Sequence, residues 1–432
     1  MIVGLGMDLV EIERIRRTLE RFGPHFAHKV LHRSESIDAK SNHAAHMAAR
    51  FAAKEAGAKA LGTGFTGGIS FRDIRIQSLA SGKPEIRFHG KALEQAQALG
   101  VTHAHLSLTH SRDSAGAVVV LESLELLAPE KGTWPLPSPF RHKGEAGKVL
   151  IIGGSKGMAG APFLAALGSL RAGAGLVHVA HPGGLPCPGF FPEIMEHPVG
   201  MASRWEQSNS DELEYLVDTI FPDAVVIGPG MGRNPAVQHI VKVSLEKKSR
   251  PPFIIDADAL YCFRSPLVTP EVSEDAAAPL SLSLLGSADI LTPHPGEMAR
   301  LPGMTGEANQ HDRTLSVQNN RPGALAALTD ICAAVAVLKG PGTLIGKKGA
   351  ATVLCSTAVS TLAVGGSGDV LAGVCGALAA VGMDSFEAAK LAVYLHARAG
   401  ELLAQKASLG HLARDIADAV PLAWKELCKH SA

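Results

Sequence analysis

The chain has 432 residues, of which 46% are hydrophobic and 19% charged, and its formal net charge is zero. This length predicts two or three domains, and the balance of apolar and charged residues excludes a disordered protein. Residues 1–122 contain 16 Lys and Arg against 12 Asp and Glu, whereas the remainder contains 25 against 29. A basic first part is compatible with an acidic partner and equally with ordinary surface scatter.

Cysteine spacing and apolar segments exclude several other classes. None of the six cysteines forms a C-x-x-C pair, so zinc and redox motifs are unsupported. Asp8, Glu11 and Glu13 interrupt the first apolar run early, which disfavours a signal peptide. No stretch approaches the ~20 apolar residues of a membrane helix. We therefore expect a cytoplasmic protein that binds neither nucleic acid nor a membrane.

The first predicted element is a strand over residues 1–10 with one buried face. Its side chains alternate between two sides of the strand. The apolar side comprises Val3, Leu5, Met7 and Leu9, and the small-residue side comprises Gly4, Gly6 and Asp8. Asp8 comes at the end of the strand on the small-residue side. A ligand could approach it there.

Two helices and a pair of strands follow. The first helix has an apolar stripe from Ile12 to Phe22. It also has a stripe of three arginines, Arg14, Arg17 and Arg21, which taken alone indicates a solvent-exposed helix face. The second helix is predicted from His46 to Leu61 and carries Glu55 and Lys59 one turn apart. Such a pair alone is usually a surface ion pair. Strands are predicted at 105–110 and 117–121.

These segments resemble the holo-[acyl-carrier-protein] synthases, the short bacterial 4′-phosphopantetheinyl transferases. Four motifs in order carry the resemblance, at residues 4–11, 50–64, 82–84 and 106–111. The resemblance implies an α+β 4′-phosphopantetheinyl transferase fold and transfer of 4′-phosphopantetheine from coenzyme A to a serine of an apo-acyl carrier protein. It also implies Mg²⁺ as cofactor and a homotrimer with sites at the subunit interfaces.

The same resemblance implies roles for individual residues. Asp8 and Glu55 would bind Mg²⁺, which prefers a few carboxylates together with waters and substrate phosphates. Glu55 and Lys59 would be catalytic, with Lys59 near the reacting phosphate. The residues expected to contact coenzyme A are Arg50, Lys83 and His110. The second stripe of the first helix, Arg14, Arg17 and Arg21, would dock the acidic carrier protein.

A proline-rich segment separates this part of the chain from the rest. Four prolines between residues 129 and 142 can neither continue a helix nor serve a central strand. We predict a semi-rigid linker at 124–135 between a domain at 1–123 and a second domain at 136–432.

Short apolar runs alternate with Gly-rich segments in the second domain. Runs at 148–152, 176–180, 224–227, 253–255 and 334–338 predict buried strands of a mostly parallel sheet with helices on both faces. The Gly-rich segments fall where ligands bind such sheets, at 153–155, 228–232, 339–343 and 365–369. Asp369 would then lie in the first turn of a helix whose amides could bind a phosphate. It is either a general base or a helix-stabilising acid.

This domain resembles the ADP-dependent NAD(P)H-hydrate dehydratases, which have an α/β ribokinase-like three-layer fold. Asp-Ala-Asp-Ala-Leu at 256–260 and Thr-Pro-His-Pro-Gly-Glu at 292–297 separate this family from ordinary sugar kinases. The implied reaction phosphorylates the hydroxyl of the hydrated nicotinamide ring with ADP. Elimination then regenerates NADH or NADPH and releases AMP and phosphate.

Residue roles follow from this resemblance by position. The residues expected to contact the hydrate are Ala161, Gly232, His294 and Asp369. Those expected to hold ADP or AMP are Lys339, Gly340, Pro341, Gly342, Thr343 and Gly368. Asp369 would deprotonate the attacking hydroxyl, and Mg²⁺ is the expected nucleotide partner. Residues 142–144 match the family motif and are expected to approach the site, whereas 266–279, 315–322 and 355–360 depart from its pattern.

The sequence thus predicts a bifunctional enzyme. Two alternatives concern the second domain, which could instead be a small-molecule kinase or a non-catalytic scaffold for the synthase.

Overall fold

The computed structural model describes residues 2–32, 35, 43–78, 82–127, 142–186, 191–265, 278–304 and 310–429. The chain divides into two compact units, one with residues 1–125 and 349–352, the other with 126–348 and 353–432. The predicted linker begins with a short strand, and its remainder, 128–135, lies outside the described residues. In the part of the chain described, no helix is long and apolar enough to cross a membrane.

The first unit has an antiparallel three-stranded sheet, a two-stranded hairpin and three helices in its described residues. Its elements are β1 (Ile2–Glu11), α1 (Ile12–Val30), α2 (His43–Ala60), β2 (Ile74–Ser78), β3 (Pro84–Phe88), α3 (Gly90–Ala98), β4 (His103–His110) and β5 (Ser114–Glu122). The larger sheet has the order β1-β5-β4, and β2 pairs with β3. The predicted strands and helices of this unit are confirmed, while β2, β3 and α3 were not predicted.

Helix α2 packs against the glycine side of β1. A Cβ atom on Gly6 would lie 2.0 Å from the Ala56 carbonyl oxygen, and one on Gly4 would lie 2.1 Å from that of Ala60. The buried face of β1 is therefore the small-residue face. The apolar side is uncovered, with Leu5 67%, Met7 63% and Leu9 64% exposed. Because only glycine permits this approach, the alternation brings Asp8 under α2 rather than towards open solvent.

A buried ion pair anchors α2 on its other side. Lys54 is fully buried, and its ammonium donates to Glu35 Oε2 at 2.7 Å and to the Phe71 carbonyl at 3.1 Å. Burial lowers the pKa of Lys54, and the Glu35 carboxylate opposes that effect. This lysine supports the fold and is not available to a ligand.

A ten-stranded sheet with helices on both sides forms the second unit. The strands are β6 (Leu124–Leu126), β7 (Lys148–Ile152), β8 (Leu176–Pro182), β9 (Ile194–Val199), β10 (Ala224–Ile227), β11 (Phe253–Ile255), β12 (Ile290–Leu291), β13 (Val335–Leu338), β14 (Thr343–Gly346) and β15 (Thr352–Cys355). The helices are α4 (Ala161–Ala172), α5 (Asn209–Ile220), α6 (Pro235–Glu246), α7 (Ala257–Tyr261), α8 (Pro295–Met298), α9 (Gln310–Asn319), α10 (Arg321–Ile331), α11 (Ser367–Ala380), α12 (Ser385–Ala404) and α13 (Ala413–Lys429).

The strand order is β6-β15-β14-β13-β12-β11-β10-β7-β8-β9. The seven strands from β13 to β9 in this order are parallel, and β14 and β15 join antiparallel. All five predicted strands are confirmed. Because the central strands are parallel, the loops after β7, β10, β11, β12 and β13 meet at one edge of the sheet, where ligands bind this architecture.

Helix α11 is buried along its length and directs its N-terminus towards that edge. A Cβ atom on Gly373 would lie 1.9 Å from the Ala165 carbonyl oxygen of α4. The Ser169 hydroxyl donates to the Gly373 carbonyl at 2.8 Å. These close contacts fix the position of the first turn of α11, in which Asp369 lies, and confirm the helix predicted there.

Candidate active sites

In the first unit, the structure brings Asp8, Glu55 and Lys59 together. The Lys59 ammonium donates to Asp8 Oδ1 at 2.8 Å and to the Met7 carbonyl at 3.2 Å. The hydrogen bond to Asp8 raises the pKa of Lys59. Burial, and then the Asp8 carboxylate, raise the pKa of Glu55, while Lys59 and Arg14 lower it. Two carboxylates that repel each other beside one ammonium are a suitable donor set for a hard divalent cation.

The arginines of α1 lie on its exposed surface. Arg17 Nε donates to Glu13 Oε1 at 3.2 Å, and the Arg21 guanidinium lies 5.0 Å above the Phe22 ring. Arg14 is also exposed, and its positive charge lowers the pKa of Glu55. The stripe therefore extends from the vicinity of the carboxylate pair along α1.

The three residues expected to contact coenzyme A lie on three different elements. His110 is exposed at the end of β4. In the sheet, His110 of β4 and Val10 of β1 both pair with Ala115 of β5, which lies between them. His110 therefore lies on the same face of the sheet as Val10 and Asp8. Arg50 lies on α2, and its buried Nε has no hydrogen-bond partner among the residues that the structure describes. Lys83 lies in the turn of the β2–β3 hairpin and not on the sheet that carries Asp8.

In the second unit, Lys339 occupies the centre of a cluster of charges at the carboxyl edge of the sheet. Its ammonium lies 2.7 Å from Asp256 Oδ1 and 3.8 Å from Glu297 Oε2. The Thr292 hydroxyl donates to the same Asp256 oxygen at 2.7 Å. A Cβ atom on Gly368 would lie 3.1 Å from Lys339 Nζ, so the ammonium lies directly against the loop that begins α11.

Asp369 faces this cluster from the first turn of α11. Burial and the carboxylate of Asp256 raise the pKa of Asp369 to about 7, and the Lys339 ammonium opposes them. A carboxylate with a pKa near neutrality can accept a proton from a hydroxyl and release it again. The arrangement favours the general base over the helix-stabilising acid.

His294 begins a turn held by reciprocal hydrogen bonds. The Gly296 N–H donates to His294 Nδ1 at 3.0 Å, and the His294 N–H donates to Glu297 Oε2 at 2.8 Å. The His294 side chain is about half exposed, and partial desolvation together with the nearby Lys339 ammonium lowers the pKa of His294 to about 4. The imidazole is therefore neutral near pH 7 and can donate only from Nε2, which lies 3.4 Å from Glu297 Oε1, since Nδ1 accepts.

Gly232 and Ala161 lie on neighbouring loops of the same edge. The Gly232 N–H donates to Asp258 Oδ2 at 2.8 Å, and Arg233 Nε donates to the other oxygen, Oδ1, at 3.1 Å. Ala161 begins α4, and its Cβ would lie 3.1 Å from a Cβ on Gly230. The loop after β10 thus packs against the start of α4.

Residues 339–343 form a turn after β13. The Gly342 N–H donates to the Thr357 carbonyl at 3.4 Å, and the Thr343 hydroxyl donates to the Gly340 carbonyl at 3.0 Å. Gly340 (φ 138°) and Gly342 (φ 65°) have conformations that favour glycine. On one side this turn is held by Arg321, which the sequence did not single out.

Several polar residues of this edge had no role assigned from the sequence: Asp256, Asp258, Thr292, Glu297 and Arg321. The first four could have been found from the sequence, because they follow β11 and β12 within the two motifs at 256–260 and 292–297. No comparable signal marks Arg321, because its contact with the turn depends on the packing of α10.

The expectation that residues 142–144 approach the site is wrong. They precede β7, and a Cβ on Gly175, just before β8, would lie 1.9 Å from the Lys143 carbonyl oxygen. They therefore lie at the opposite edge of the sheet. His142 there makes the same turn as His294: the Gly144 N–H donates to His142 Nδ1, and the His142 N–H donates to Glu145 Oε2, both at 3.1 Å.

Comparison with known proteins matches each unit to a different enzyme family. The family model of the 4′-phosphopantetheinyl transferase superfamily matches residues 4–119. The holo-[acyl-carrier-protein] synthase of Maridesulfovibrio salexigens is 54% identical over 124 residues, which are 28% of this chain and 99% of that protein. The first unit therefore aligns with a whole synthase.

The NAD(P)H-hydrate dehydratase family model matches residues 149–422. The bifunctional NAD(P)H-hydrate repair enzyme Nnr of Moorella thermoacetica is 37% identical over 297 residues, which are 66% of this chain and 51% of that protein. The solved ADP/ATP-dependent NAD(P)H-hydrate dehydratase of Bacillus subtilis is 28% identical, with a TM-score of 0.55, over 70% of this chain and 98% of that one. The chain therefore belongs to two enzyme families, the holo-[acyl-carrier-protein] synthases through its first unit and the NAD(P)H-hydrate dehydratases through its second.

Proposed function

We propose that the first unit transfers 4′-phosphopantetheine from coenzyme A to a serine of an apo-acyl carrier protein at the cluster of Asp8, Glu55 and Lys59. The observation that carries this proposal is the contact of the Lys59 ammonium with Asp8 beside the partly buried Glu55. Asp8 and Glu55 would bind Mg²⁺, which neutralises charge on the pyrophosphate during displacement. Lys59 balances Asp8 in the free enzyme and is positioned to contact the reacting phosphate.

Substrate contacts are proposed for basic residues of this unit. Arg50, Lys83 and His110 are proposed to contact coenzyme A, and the Arg14, Arg17 and Arg21 stripe to dock the acidic carrier protein. The test is transfer from labelled coenzyme A to purified apo-acyl carrier protein by the full-length chain, with and without Mg²⁺. No transfer at saturating Mg²⁺ would contradict the proposal.

We propose that the second unit uses ADP to dehydrate NAD(P)H-hydrate, with AMP and phosphate as the other products. The observation that carries this proposal is the Asp369 carboxyl, whose pKa of about 7 suits a general base, opposite the Lys339 ammonium. Asp369 would remove the proton from the hydrate hydroxyl, and the neutral His294 would donate a hydrogen bond from Nε2. Ala161 and Gly232 would line the hydrate pocket, and Lys339, Gly340, Pro341, Gly342, Thr343 and Gly368 would hold the nucleotide.

A second candidate for this unit is a small-molecule kinase, because a base and a phosphate-binding helix end serve both reactions. Loss of hydrated NADH with ADP, followed by product analysis, distinguishes them. Regenerated NADH with AMP and phosphate supports the dehydratase, whereas a stable phosphorylated product supports the kinase.

The pH dependence of dehydration is expected to follow the ionisation of Asp369. Its pKa is raised to about 7 by burial and by the neighbouring carboxylates. Only the ionised form accepts a proton, so kcat should rise with pH through about 7 and fall roughly tenfold per unit well below it. Initial rates between pH 5 and 9 at saturating ADP and hydrate test this. A kcat that does not change from pH 5 to 7 would exclude Asp369 as the base.

We further propose that the uncovered side of β1 forms a contact with other copies of this chain, as in a trimer. Leu5, Met7 and Leu9 lie side by side on this face and are each more than half exposed. Val118, the β5 partner of Met7, is 36% exposed on the same face. A contiguous apolar strip of this kind on a small unit is typical of a subunit interface.

Replacing Met7 by glutamate is expected to shift the full-length chain to a smaller assembly, because a carboxylate would be buried without a partner in the interface. Sedimentation velocity of wild type and Met7→Glu measures the change. The matched control is Tyr215→Glu, which alters an exposed side chain of the second unit. An identical sedimentation coefficient for wild type and Met7→Glu would contradict this interface.

A further inference from the structure

We propose that Arg321 is a positioning residue of the dehydratase site, and that its unneutralised charge makes nucleotide affinity depend on the number of phosphates. The inference rests on the proposed binding of the nucleotide at residues 339–343. It adds to that proposal a residue outside the motifs of the chain, in a segment that departs from the family pattern.

The guanidinium of Arg321 fixes the turn after β13 through three main-chain carbonyls. Nη1 donates to the Pro341 carbonyl, and Nη2 donates to the Leu338 carbonyl at 2.9 Å and to the Lys339 carbonyl at 3.3 Å. A planar fork that holds three carbonyls of one turn restricts the peptide units between them. The direction of the Lys339 side chain and of the amides at 340–342 thus depends on Arg321.

Carbonyl oxygens satisfy the donors of Arg321 but do not cancel its charge. Burial lowers the pKa of this guanidinium, and no carboxylate of the described residues opposes that effect. Its Nε is buried and has no hydrogen-bond partner within the described part of the chain. Arg321 is partly buried, and a partly desolvated charge without a nearby counter-charge is less stable than a paired one; such groups concentrate at functional sites.

Arg250 shows how the same unit neutralises an arginine that has a structural role. Nη1 and Nη2 of Arg250 lie 2.7 Å and 2.6 Å from the two oxygens of Asp289, and Nη2 also donates to the Leu284 carbonyl at 3.2 Å. Arg250 therefore combines carbonyl contacts with a bidentate ion pair. Arg321 has carbonyl contacts of the same kind without the ion pair.

The charge of Lys339 is already balanced in the same turn. Its ammonium contacts Asp256 at 2.7 Å and lies 3.8 Å from Glu297. Arg321 is close to the glycines of the turn, since Cβ atoms on Gly340 and Gly342 would lie 3.3 Å and 3.9 Å from its terminal nitrogens. Arg321 is thus the cation beside this turn that has no carboxylate partner among the described residues. A bound polyphosphate would provide the missing counter-charge, and more so with each added phosphate.

Binding of AMP, ADP and ATP to the full-length chain without divalent cations tests the inference by calorimetry. Arg321→Gln is expected to weaken AMP about threefold, ADP about tenfold and ATP about thirtyfold, because the lost Coulomb energy grows with ligand charge. Arg321→Lys keeps the charge and should keep this graded preference. An equal loss for the three nucleotides, or no loss, would overturn the inference, and so would an Arg321→Lys variant that behaves like Arg321→Gln.

Arg250→Gln is the matched control. It removes the ion pair of the buried Asp289, which keeps the Phe253 and Gly286 N–H groups as donors, and should lower the melting temperature with no effect that depends on phosphate number. If the wild-type chain binds none of the three nucleotides, the proposed nucleotide site is wrong. If wild type binds them and the glutamine variant keeps the graded preference, only the role of Arg321 is wrong.

Discussion

Replacing Asp369 by asparagine is expected to lower kcat for hydrate dehydration by about a thousandfold, a typical effect of removing a positioned general base. Asparagine keeps the size of the side chain and removes its ability to accept the proton of the attacking hydroxyl. The measurement is the rate of NADH regeneration at saturating hydrate and ADP. KM for ADP should change much less than kcat, because the amide leaves the proposed nucleotide turn in place.

The fused synthase provides an internal control for this variant. Phosphopantetheinyl transfer by the same Asp369→Asn preparation should equal that of wild type, since Asp369 belongs to the second unit. A variant that keeps more than a tenth of wild-type kcat would show that another group removes the proton.

Replacing Asp8 by asparagine should reduce phosphopantetheinyl transfer by about a thousandfold, comparable to removing a main electrostatic contact to a transition state. The change removes one of the two carboxylates proposed to bind Mg²⁺ and also the partner of Lys59, 2.8 Å away. Transfer to apo-acyl carrier protein, measured over a range of Mg²⁺ concentrations, tests this. We expect the residual activity to require more Mg²⁺ than wild type.

Glu94→Gln is the matched control for Asp8→Asn. Glu94 is exposed and pairs with Lys91 on α3, an interaction worth about 0–1 kcal/mol at a protein surface. Transfer by Glu94→Gln should therefore stay within about twofold of wild type, as that small energy allows. If Asp8→Asn retains wild-type transfer with an unchanged Mg²⁺ dependence, Asp8 has no role as a metal ligand.

The elements that could be predicted from the sequence are those whose pattern of apolar residues follows directly from their burial in the sheet. The five apolar runs of the second unit became strands because each is buried on both faces by helices. The strands that were missed, such as β9 with Glu196 and His197, mix polar and apolar residues at the edge of the sheet. Periodicity does not distinguish such segments from loops.

Contacts between distant segments could not be predicted in the same way. The alternation in β1 indicated two faces, but which one is buried depended on the close packing of α2 on Gly6, where a Cβ atom would lie 2.0 Å from the Ala56 carbonyl oxygen. The close contact of Asp256 with Lys339 joins residues 83 positions apart. Arg321 reaches the turn at 339–343 only because α10 packs beside β13 and β14. In each case tertiary packing, not local pattern, selects the partner.

The turn at His294 has a consequence for how the second site responds to acid. Its imidazole Nδ1 accepts the Gly296 N–H with the same lone pair that a proton would occupy. Because the pKa of His294 lies well below that of Asp369, a proton neutralises the Asp369 carboxylate before it displaces this hydrogen bond. Between these two pKa values the turn keeps its hydrogen bond while Asp369 loses its charge. Acid should therefore inactivate this site reversibly, by protonation of one carboxylate, before it breaks the hydrogen bond between Gly296 and His294.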